Sequence, residues 1–190
     1  WLAIARGMDK PSVEDMTWQE YAFQRMVEAN PFPSVMGRVC PAPCEDGCNR
    51  NQVDDFVGIN AVEQYVGDWA IENKLTLAKP ASETGKKVAI VGGGPGGLAA
   101  AYRLRLLGHG VTVFEAQDRL GGMMVYGIPG YRTPRDMVGA EIQRILDTGV
   151  DQEVVGGLVI RVGDRIIDGS IKGKLTELRK SVTGTTGGTN

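Results

Sequence analysis

Residues 87–115 read KVAIVGGGPGGLAAAYRLRLLGHGVTVFE, and this stretch decides the fold. The apolar run at 88–91 predicts a buried parallel strand, the glycines after it predict a tight turn, and residues 98–107 predict a helix. A second apolar run at 111–114 predicts another strand, which ends in Glu115. The stretch holds 29 residues, close to the ~30 of a strand–helix–strand unit in a parallel sheet. It therefore predicts a βαβ unit.

The turn of this unit has the spacing Gly-x-Gly-x-x-Gly. The first glycine allows the bend, the second lets the backbone approach a pyrophosphate, and the third lets helix and strand pack closely. A proline at the helix start loses no hydrogen bond, and the acid at the end of the second strand can accept hydrogen bonds from a ribose. NAD and FAD both satisfy this pattern, and a turn used only for packing is the alternative. The candidate dinucleotide-binding residues are Gly92, Gly94, Pro95, Gly96, Gly97 and Glu115.

The chain before this unit is helical in pattern. The capping-box sequence Thr17-Trp18-Gln19-Glu20 and the apolar spacing after it predict a helix over 18–29, which the prolines at 31 and 33 end. A second amphipathic pattern predicts a helix over 58–75. The proline-containing segment between them is predicted to be a loop, and the polar residues around 80 predict a domain boundary.

The chain after the unit changes in character near residue 149. Residues 136–147, which lie beyond the βαβ unit, predict a further helix. Two short β-like runs follow at 158–162 and 165–167, and their spacing predicts a hairpin. Residues 171–180 predict a short helix, and the Thr/Gly-rich tail at 181–190 is predicted to be disordered.

All three cysteines, Cys40, Cys44 and Cys48, lie in the proline-containing loop that is predicted between the helices at 18–29 and 58–75. Nearby prolines exclude a regular helix, so the thiols project from a folded segment. An odd, clustered set of cysteines without an export signal indicates metal or redox chemistry before disulfides. Buried structural thiols are the alternative. A zinc site that includes His109 is disfavoured, because His109 belongs to the glycine-rich unit.

The composition excludes several classes of function. The net charge is -2, 23% of the residues are charged, and no dense Lys/Arg block suggests a nucleic-acid or anionic membrane surface. No run approaches the ~18–20 apolar residues of a membrane-spanning helix. The chain starts with Trp1 and has no export signal, so we expect a cytoplasmic protein whose natural N-terminus lies further upstream.

Residues 87–132 resemble the FAD-binding opening of flavoproteins with two dinucleotide-binding domains, in which an acid is followed by a Gly-Gly pair. Glu115 and the pair at 121–122 fit that pattern. The stretch YGIPGYRTP at 126–134 is similar to the glutamate synthase small-subunit family, which includes the N-terminal part of dihydropyrimidine dehydrogenase. This resemblance implies FAD as the cofactor. It also implies that Arg119, Gly122, Met123 and Arg132 lie against the FAD; a solvated loop arginine is the alternative for Arg132.

Residues 30–70 resemble the helical double-cluster domain that precedes the flavin domain in the same family. The resemblance implies two [4Fe-4S] clusters, with Cys40, Cys44 and Glu63 on one cluster and Cys48 on the other. A surface glutamate is the alternative for Glu63. The family's upstream cysteine run and its second Gly-x-Gly-x-x-Gly, for NAD(P)H, are both missing. We therefore expect a central slice of a larger enzyme.

Residues 156–170, GGLVIRVGDRIIDGS, are similar to the C-terminal end of the ATP synthase delta subunit, a stalk protein. The alternative is a divergent hairpin of the flavin domain. If the similarity is correct, residues 158–167 form a hairpin of their own and add no strand to the parallel sheet.

These observations predict an α+β chain in three parts. A partial helical iron–sulfur domain spans 1–80, a partial Rossmann-like FAD-binding βαβ unit spans 81–150, and a hairpin–helix segment of different origin spans 151–190. The resemblance implies an oxidoreductase that passes electrons between NAD(P)H, FAD and the clusters to a partner subunit or domain. The rival functions are an NAD-dependent dehydrogenase with structural cysteines and a non-catalytic stalk segment fused to a nucleotide-binding domain.

Overall fold

A computed structural model describes residues 16–154, 159–162 and 165–168 of the chain. The helix predicted at 171–180 and the disorder predicted at 181–190 lie outside the described residues. So do the residues before 16 and the two residues predicted to form the hairpin turn.

The N-terminal part is built from short helices. The capping box is confirmed: the Thr17 Oγ1 accepts a hydrogen bond from the Glu20 N–H at 3.2 Å, and the Glu20 carboxylate accepts one from the Thr17 N–H at 2.7 Å. The helices are α1 (Trp18–Val27), α2 (Pro33–Val39), α3 (Pro43–Asp46) and α4 (Ile59–Glu72), with a 3-10 turn at Asn49–Gln52.

The prediction of a loop between the two long helices was wrong in part. Pro33 and Pro43 are each the first residue of a helix, and neither breaks one. A proline at that position loses nothing, because the first N–H groups of a helix have no partner within it. The segment therefore consists of short helices, two of which begin at a proline, joined by turns.

The second part is a parallel sheet with helices. Its strands are β1 (Lys87–Val91), β2 (Gly110–Glu115) and β3 (Val150–Val154), and its helices are α5 (Pro95–Leu106), α6 (Met123–Tyr126) and α7 (Arg135–Leu146). The strand order is β1-β2-β3, and both neighbouring pairs are parallel. The predicted fold class, a helical region followed by a partial Rossmann-like unit, is confirmed. Strand β3 runs four residues past the predicted boundary at 150.

A separate two-stranded sheet follows. Strands β4 (Val159–Val162) and β5 (Arg165–Asp168) pair antiparallel, with Val159 opposite Asp168 and Val162 opposite Arg165. Within the described residues this hairpin adds no strand to the parallel sheet. That is the arrangement expected for a segment of different origin.

One apolar core joins the helical part to the sheet part. It includes Phe23 of α1, Val66 of α4, Leu98 of α5 and Ile145 of α7, all nearly inaccessible to solvent. The cysteine-bearing segment and the glycine turn therefore belong to one packed body. Of the helices in the described part of the chain, none is long and apolar enough to cross a membrane.

Candidate functional site

The glycine turn has the geometry that its sequence predicts. Gly92 has a φ of +100°, which L side chains rarely adopt, and Gly94 is the N-cap of α5. A Cβ atom on Gly97 would lie closer than 3.0 Å to the Gly92 carbonyl oxygen. The first glycine thus makes the bend, and the third lets α5 pack against the end of β1.

The middle of the turn borders open space. A Cβ atom on Gly94 would have the Gly122 Cα as its nearest neighbour, at 3.9 Å, and one on Gly96 would meet nothing within 4 Å. The first N–H groups of α5, a helix of 12 residues that begins at Pro95, have no partner within the helix and no side-chain cap. Because N–H groups and the positive end of the helix dipole favour anions, this cradle fits a pyrophosphate.

The Glu115 carboxylate braces the turn from β2. Its Oε2 accepts a hydrogen bond from the Gly93 N–H at 2.7 Å, and its Oε1 accepts one from the Gln117 N–H at 2.8 Å. Glu115 is nearly buried, with 8% of its surface exposed. A carboxylate has about four acceptor positions, so it retains capacity for a ribose hydroxyl. Sequence reasoning assigned it a ligand role and missed this second, structural one.

The Gly-Gly pair completes the wall of the cradle. The Gly121 N–H donates to the Gly93 carbonyl at 2.7 Å, and a Cβ atom on Gly122 would lie 2.9 Å from the Gly94 Cα. Both glycines have positive φ angles, +117° and +49°. Gly122 therefore lies against the turn, and its contact with a dinucleotide stays a prediction.

The other residues that the resemblance places against FAD, Arg119, Met123 and Arg132, differ in their exposure and contacts. The side chains of Arg119 and Met123 are largely exposed to solvent. The Arg132 Nε, in contrast, donates to the Arg38 carbonyl oxygen at 2.7 Å. Arg132 thus contacts the end of the helix that leads to the cysteines, and its contact with a dinucleotide stays a prediction.

The cysteine segment presents its thiols near the surface. Cys40 and Cys44 are exposed and Cys48 is partly exposed. Ala42, between the first two, has a left-handed φ of +53°, and its N–H donates to the Cys40 sulfur at 3.4 Å. A left-handed conformation at a residue other than glycine costs about 1 kcal/mol or more. Residues in such strained conformations cluster at functional sites.

Backbone N–H groups also face the third thiol. Hydrogen bonds from the backbone of Val57, and then of Arg50, lower the pKa of Cys48 below its ordinary value. Such bonds favour the thiolate, the form that binds iron. The sulfur environments therefore suit iron–sulfur ligation.

The structure does not bring the predicted ligands of one cluster together. Among the residues it describes, no three Cys, His, Asp or Glu side chains form a group that could hold a metal ion. Glu63 instead accepts a hydrogen bond from the Asn30 Nδ2 at 2.7 Å, and its half-buried position raises its pKa above the ordinary value. The ligand role of Glu63 stays a prediction. The three thiols fit part of a cluster's donor set, because a cubane needs four ligands.

Two residues that lie where the sheet part packs against the helical part were not identified from the sequence. Glu141 and Arg144, on α7, are buried at the junction with the helical part, with 0% and 7% of their surface exposed. Glu141 lies between apolar Val138 and Ile145 on the buried face of α7, and a carboxylate on such a face was the available signal. Burial is the largest effect on its pKa and raises it to about 7.

Comparisons with known families match three segments of the chain. Residues 12–75 match the family described as dihydropyrimidine dehydrogenase domain II, 4Fe-4S cluster. Residues 90–133 match the NAD(P)-binding Rossmann-like domain. A weak match to the ATP synthase delta (OSCP) subunit covers residues 137–182 and begins inside α7.

Curated relatives extend the first two matches. The chain is 44% identical to the glutamate synthase [NADPH] small chain of Bacillus subtilis over 135 residues, which cover 70% of this chain and 27% of that protein. About 70% of this chain is thus similar in sequence to the glutamate synthase small chain. The similarity to this family predicted from the sequence is thus confirmed.

Other curated relatives of this chain show the same partial coverage. The NADPH-Fe(3+) oxidoreductase subunit beta of Geobacter sulfurreducens is 43% identical, with 70% of this chain and 21% of that protein covered. The NADP(+)-dependent formate dehydrogenase subunit beta of Moorella thermoacetica is 41% identical, with 61% and 20% covered. The chain spans about a quarter of these relatives' length, and each relative is by name a chain or subunit of an oxidoreductase.

Proposed function

We propose that this chain is the cluster-and-flavin section of an NAD(P)H-dependent oxidoreductase similar to the glutamate synthase small chain. One observation carries the proposal: the helices that flank a dinucleotide turn and a segment of three thiols pack into one core, and the two segments follow each other in the order in which this family has them. The bound cofactors would supply the redox chemistry, with FAD as the site that exchanges a hydride for single electrons and [4Fe-4S] clusters as one-electron carriers. The protein orients these groups.

The glycine turn is the proposed FAD site. The N–H groups at the start of α5 bind the pyrophosphate, and Gly94 keeps that space open. Glu115 accepts a ribose hydroxyl while it holds the Gly93 N–H. Gly122 closes the side of the cradle. The full set proposed to contact FAD is Gly92, Gly94, Pro95, Gly96, Gly97, Glu115, Arg119, Gly122, Met123 and Arg132.

The thiols are the proposed cluster ligands. Cys40 and Cys44, with Glu63, serve one [4Fe-4S] cluster and Cys48 serves the other. Backbone hydrogen bonds to the sulfurs of Cys40 and Cys48 support this role, because such bonds tune cluster potentials. The ligands that these thiols lack, and a second nucleotide site for NAD(P)H, belong to other parts of the complete enzyme.

The proposal extends to domains, partner and location. The iron–sulfur part ends near residue 80, the FAD part near 150, and the remainder has a different origin. Electrons leave for an acceptor subunit or domain, in line with the subunit names of the relatives. A cytoplasmic location agrees with the redox compartment in which unpaired thiols persist.

A titration tests the dinucleotide assignment. The purified 190-residue chain is titrated with FAD, NADH and NADPH in parallel, with flavin or nicotinamide fluorescence as the readout. We expect saturable binding of FAD and at least tenfold weaker binding of both nicotinamide dinucleotides. Preferential binding of NADH or NADPH would overturn the FAD assignment.

The second candidate is a nicotinamide dinucleotide in the same turn. The match to the NAD(P)-binding Rossmann-like family favours it. The chain is then part of an NAD-dependent dehydrogenase with structural cysteines. The same titration decides between the two, because the cradle accepts either pyrophosphate but the remaining contacts differ.

A stalk-protein role is the third candidate, for the C-terminal segment alone. The separate β4–β5 hairpin and the match to the ATP synthase delta subunit favour it. The match begins inside α7, however, and α7 packs in the same core as the glycine-turn unit. Deletion of residues 156–190 should leave FAD binding unchanged if this segment is an independent addition.

A further inference from the structure

Helix α2 delivers Cys40, and residues of the sheet part hold the start of this helix. The Glu141 carboxylate of α7 accepts hydrogen bonds from the Ser34 N–H at 2.7 Å and the Val35 N–H at 3.1 Å. These are among the first N–H groups of α2, which have no partner within the helix. Glu141 is completely buried.

The other end of α2 is held by the loop before α7. The Arg132 Nε donates to the Arg38 carbonyl at 2.7 Å, and the last carbonyls of a helix likewise lack partners within it. The N–H of Cys40 still donates to the Met36 carbonyl, at 2.9 Å. Cys40 is therefore attached to the last turn of α2 and follows any movement of that turn.

Helix α4 holds α2 from the opposite side. Arg38 forms two hydrogen bonds with the Asp68 carboxylate, at 2.6 and 2.7 Å. A Cβ atom on Gly67 would lie closer than 3.0 Å to the Ser34 backbone, so the two helices cross with their backbones in close approach. Helix α2 thus moves with α4 unless contacts from the sheet part fix both.

Two ionisable groups, Glu141 and Arg144, are buried at the junction between the helical part and the sheet part. The Arg144 guanidinium lies over the Phe23 ring, 4.9 Å from its centroid, and its Nη atoms have no hydrogen-bond partner among the described residues. An apolar pair at this junction would avoid the cost of desolvating both groups. Buried polar groups can instead fix one arrangement among several.

We propose that Glu141 and Arg132 are positioning residues that clamp the two ends of α2 and thereby fix Cys40 relative to the glycine turn. The clamp concerns the protein alone and does not depend on which cofactor binds. Under the proposed function it sets the distance between the flavin and the first cluster.

Distance measurement between two spin labels tests the clamp. One label is placed on Cys40 and the other on Gln117→Cys, an exposed position two residues after Glu115, in the full chain with Cys44→Ser and Cys48→Ser. No cofactor is added. We expect a narrow distance distribution that broadens and shifts in Glu141→Gln and in Arg132→Ala. Arg132→Lys, which keeps a cationic donor, should restore most of the narrow distribution.

Two exposed residues outside the junction serve as controls. Glu72→Gln and Arg103→Ala should leave the distribution unchanged. Circular dichroism checks that each variant is folded. If Glu141→Gln does not fold, the exposed Arg132 decides the outcome. An unchanged distribution in folded Arg132→Ala would overturn the two-point clamp.

Discussion

The glycine turn and the cysteine segment reach their shapes in different ways. The turn is defined by its own residues and its immediate neighbours: Gly92 and Gly97 set the bend, and Glu115 braces it. The cysteine segment depends on distant partners, because α4 and α7 hold the helix before it. A local sequence pattern can therefore define a phosphate cradle, whereas a cluster site needs contributions from several parts of a protein.

The largest expected effect is at the third glycine of the turn. In Gly97→Ala the new methyl group would meet the Gly92 carbonyl, and the backbone must shift at the end of β1. We expect a loss of about 3 kcal/mol in the free energy of unfolding, measured by urea titration, because overpacking against backbone has no cheap relief. Gly96→Ala is the matched control: it faces open space, and a helix gains up to about 1 kcal/mol from alanine. Equal stabilities of the two variants would contradict the assigned geometry.

The second effect tests the dependence of the cysteine segment on α4. Gly67→Ala would force the backbones of α2 and α4 apart. We expect a loss of about 2 kcal/mol in the free energy of unfolding and faster alkylation of Cys40 by a maleimide. Gly139→Ala on α7 meets nothing within 4 Å and should leave both quantities nearly unchanged. An unaltered alkylation rate in Gly67→Ala would show that the exposure of Cys40 does not depend on α4. It would contradict the dependence of the cysteine segment on distant partners.

The third effect is a pH dependence of stability that arises from Glu141 at the junction. Burial raises the pKa of Glu141 to about 7 from 4.5, against the opposing effects of the Ser34 and Val35 N–H groups and of Arg144, and with a small contribution from Asp68 in the same direction. Between these two pH values the unfolded chain has released this proton and the folded chain retains it. The free energy of unfolding should therefore fall as pH rises from about 4.5 to about 7.

Glu141→Gln should remove that part of the slope. Urea titrations at several pH values measure it, and Glu72→Gln, an exposed carboxylate of α4, is the control. A slope that persists unchanged in Glu141→Gln would assign the proton uptake to other groups.

The smallest effect concerns metal. Reconstituted with iron and sulfide without oxygen, the 190-residue chain should hold much less than one [4Fe-4S] cluster, because it supplies only three thiols. Elemental analysis of iron and sulfide measures this, and Cys40→Ser should remove most of what is bound. A full cubane in the unaltered chain would mean that three thiols and another ligand of this chain suffice.

Most of the fold was predictable because its signals are local. The capping box at Thr17 and Glu20, the alternation of strand, turn and helix, and the position of Glu115 all follow from short-range rules. The short helices that begin at Pro33 and Pro43 were missed, because a proline at a helix start and a proline in a loop look alike in sequence.

The contacts at the junction between the helical part and the sheet part could not be predicted from local sequence patterns. Glu141 meets residues more than a hundred positions earlier in the chain, and such a contact leaves no periodic pattern. Likewise, the hydrogen bond that Glu63 accepts from Asn30, 33 positions earlier, was not predicted. Long-range polar contacts are set by how the two parts pack, which neither spacing nor composition reports.

The central claim, that the glycine turn is a flavin dinucleotide site, is tested most directly by one pair of variants. Gly94→Val fits the folded chain, since its Cβ would be 3.9 Å from the nearest neighbour, but its side chain would fill the space proposed for the pyrophosphate. The affinity for FAD is measured by fluorescence titration in Gly94→Val and in Gly139→Ala, a change on α7 whose new methyl group meets nothing within 4 Å and which lies outside the proposed site. The account predicts at least a tenfold loss of affinity in Gly94→Val and little change in Gly139→Ala. Equal, undiminished FAD binding in both variants would contradict it.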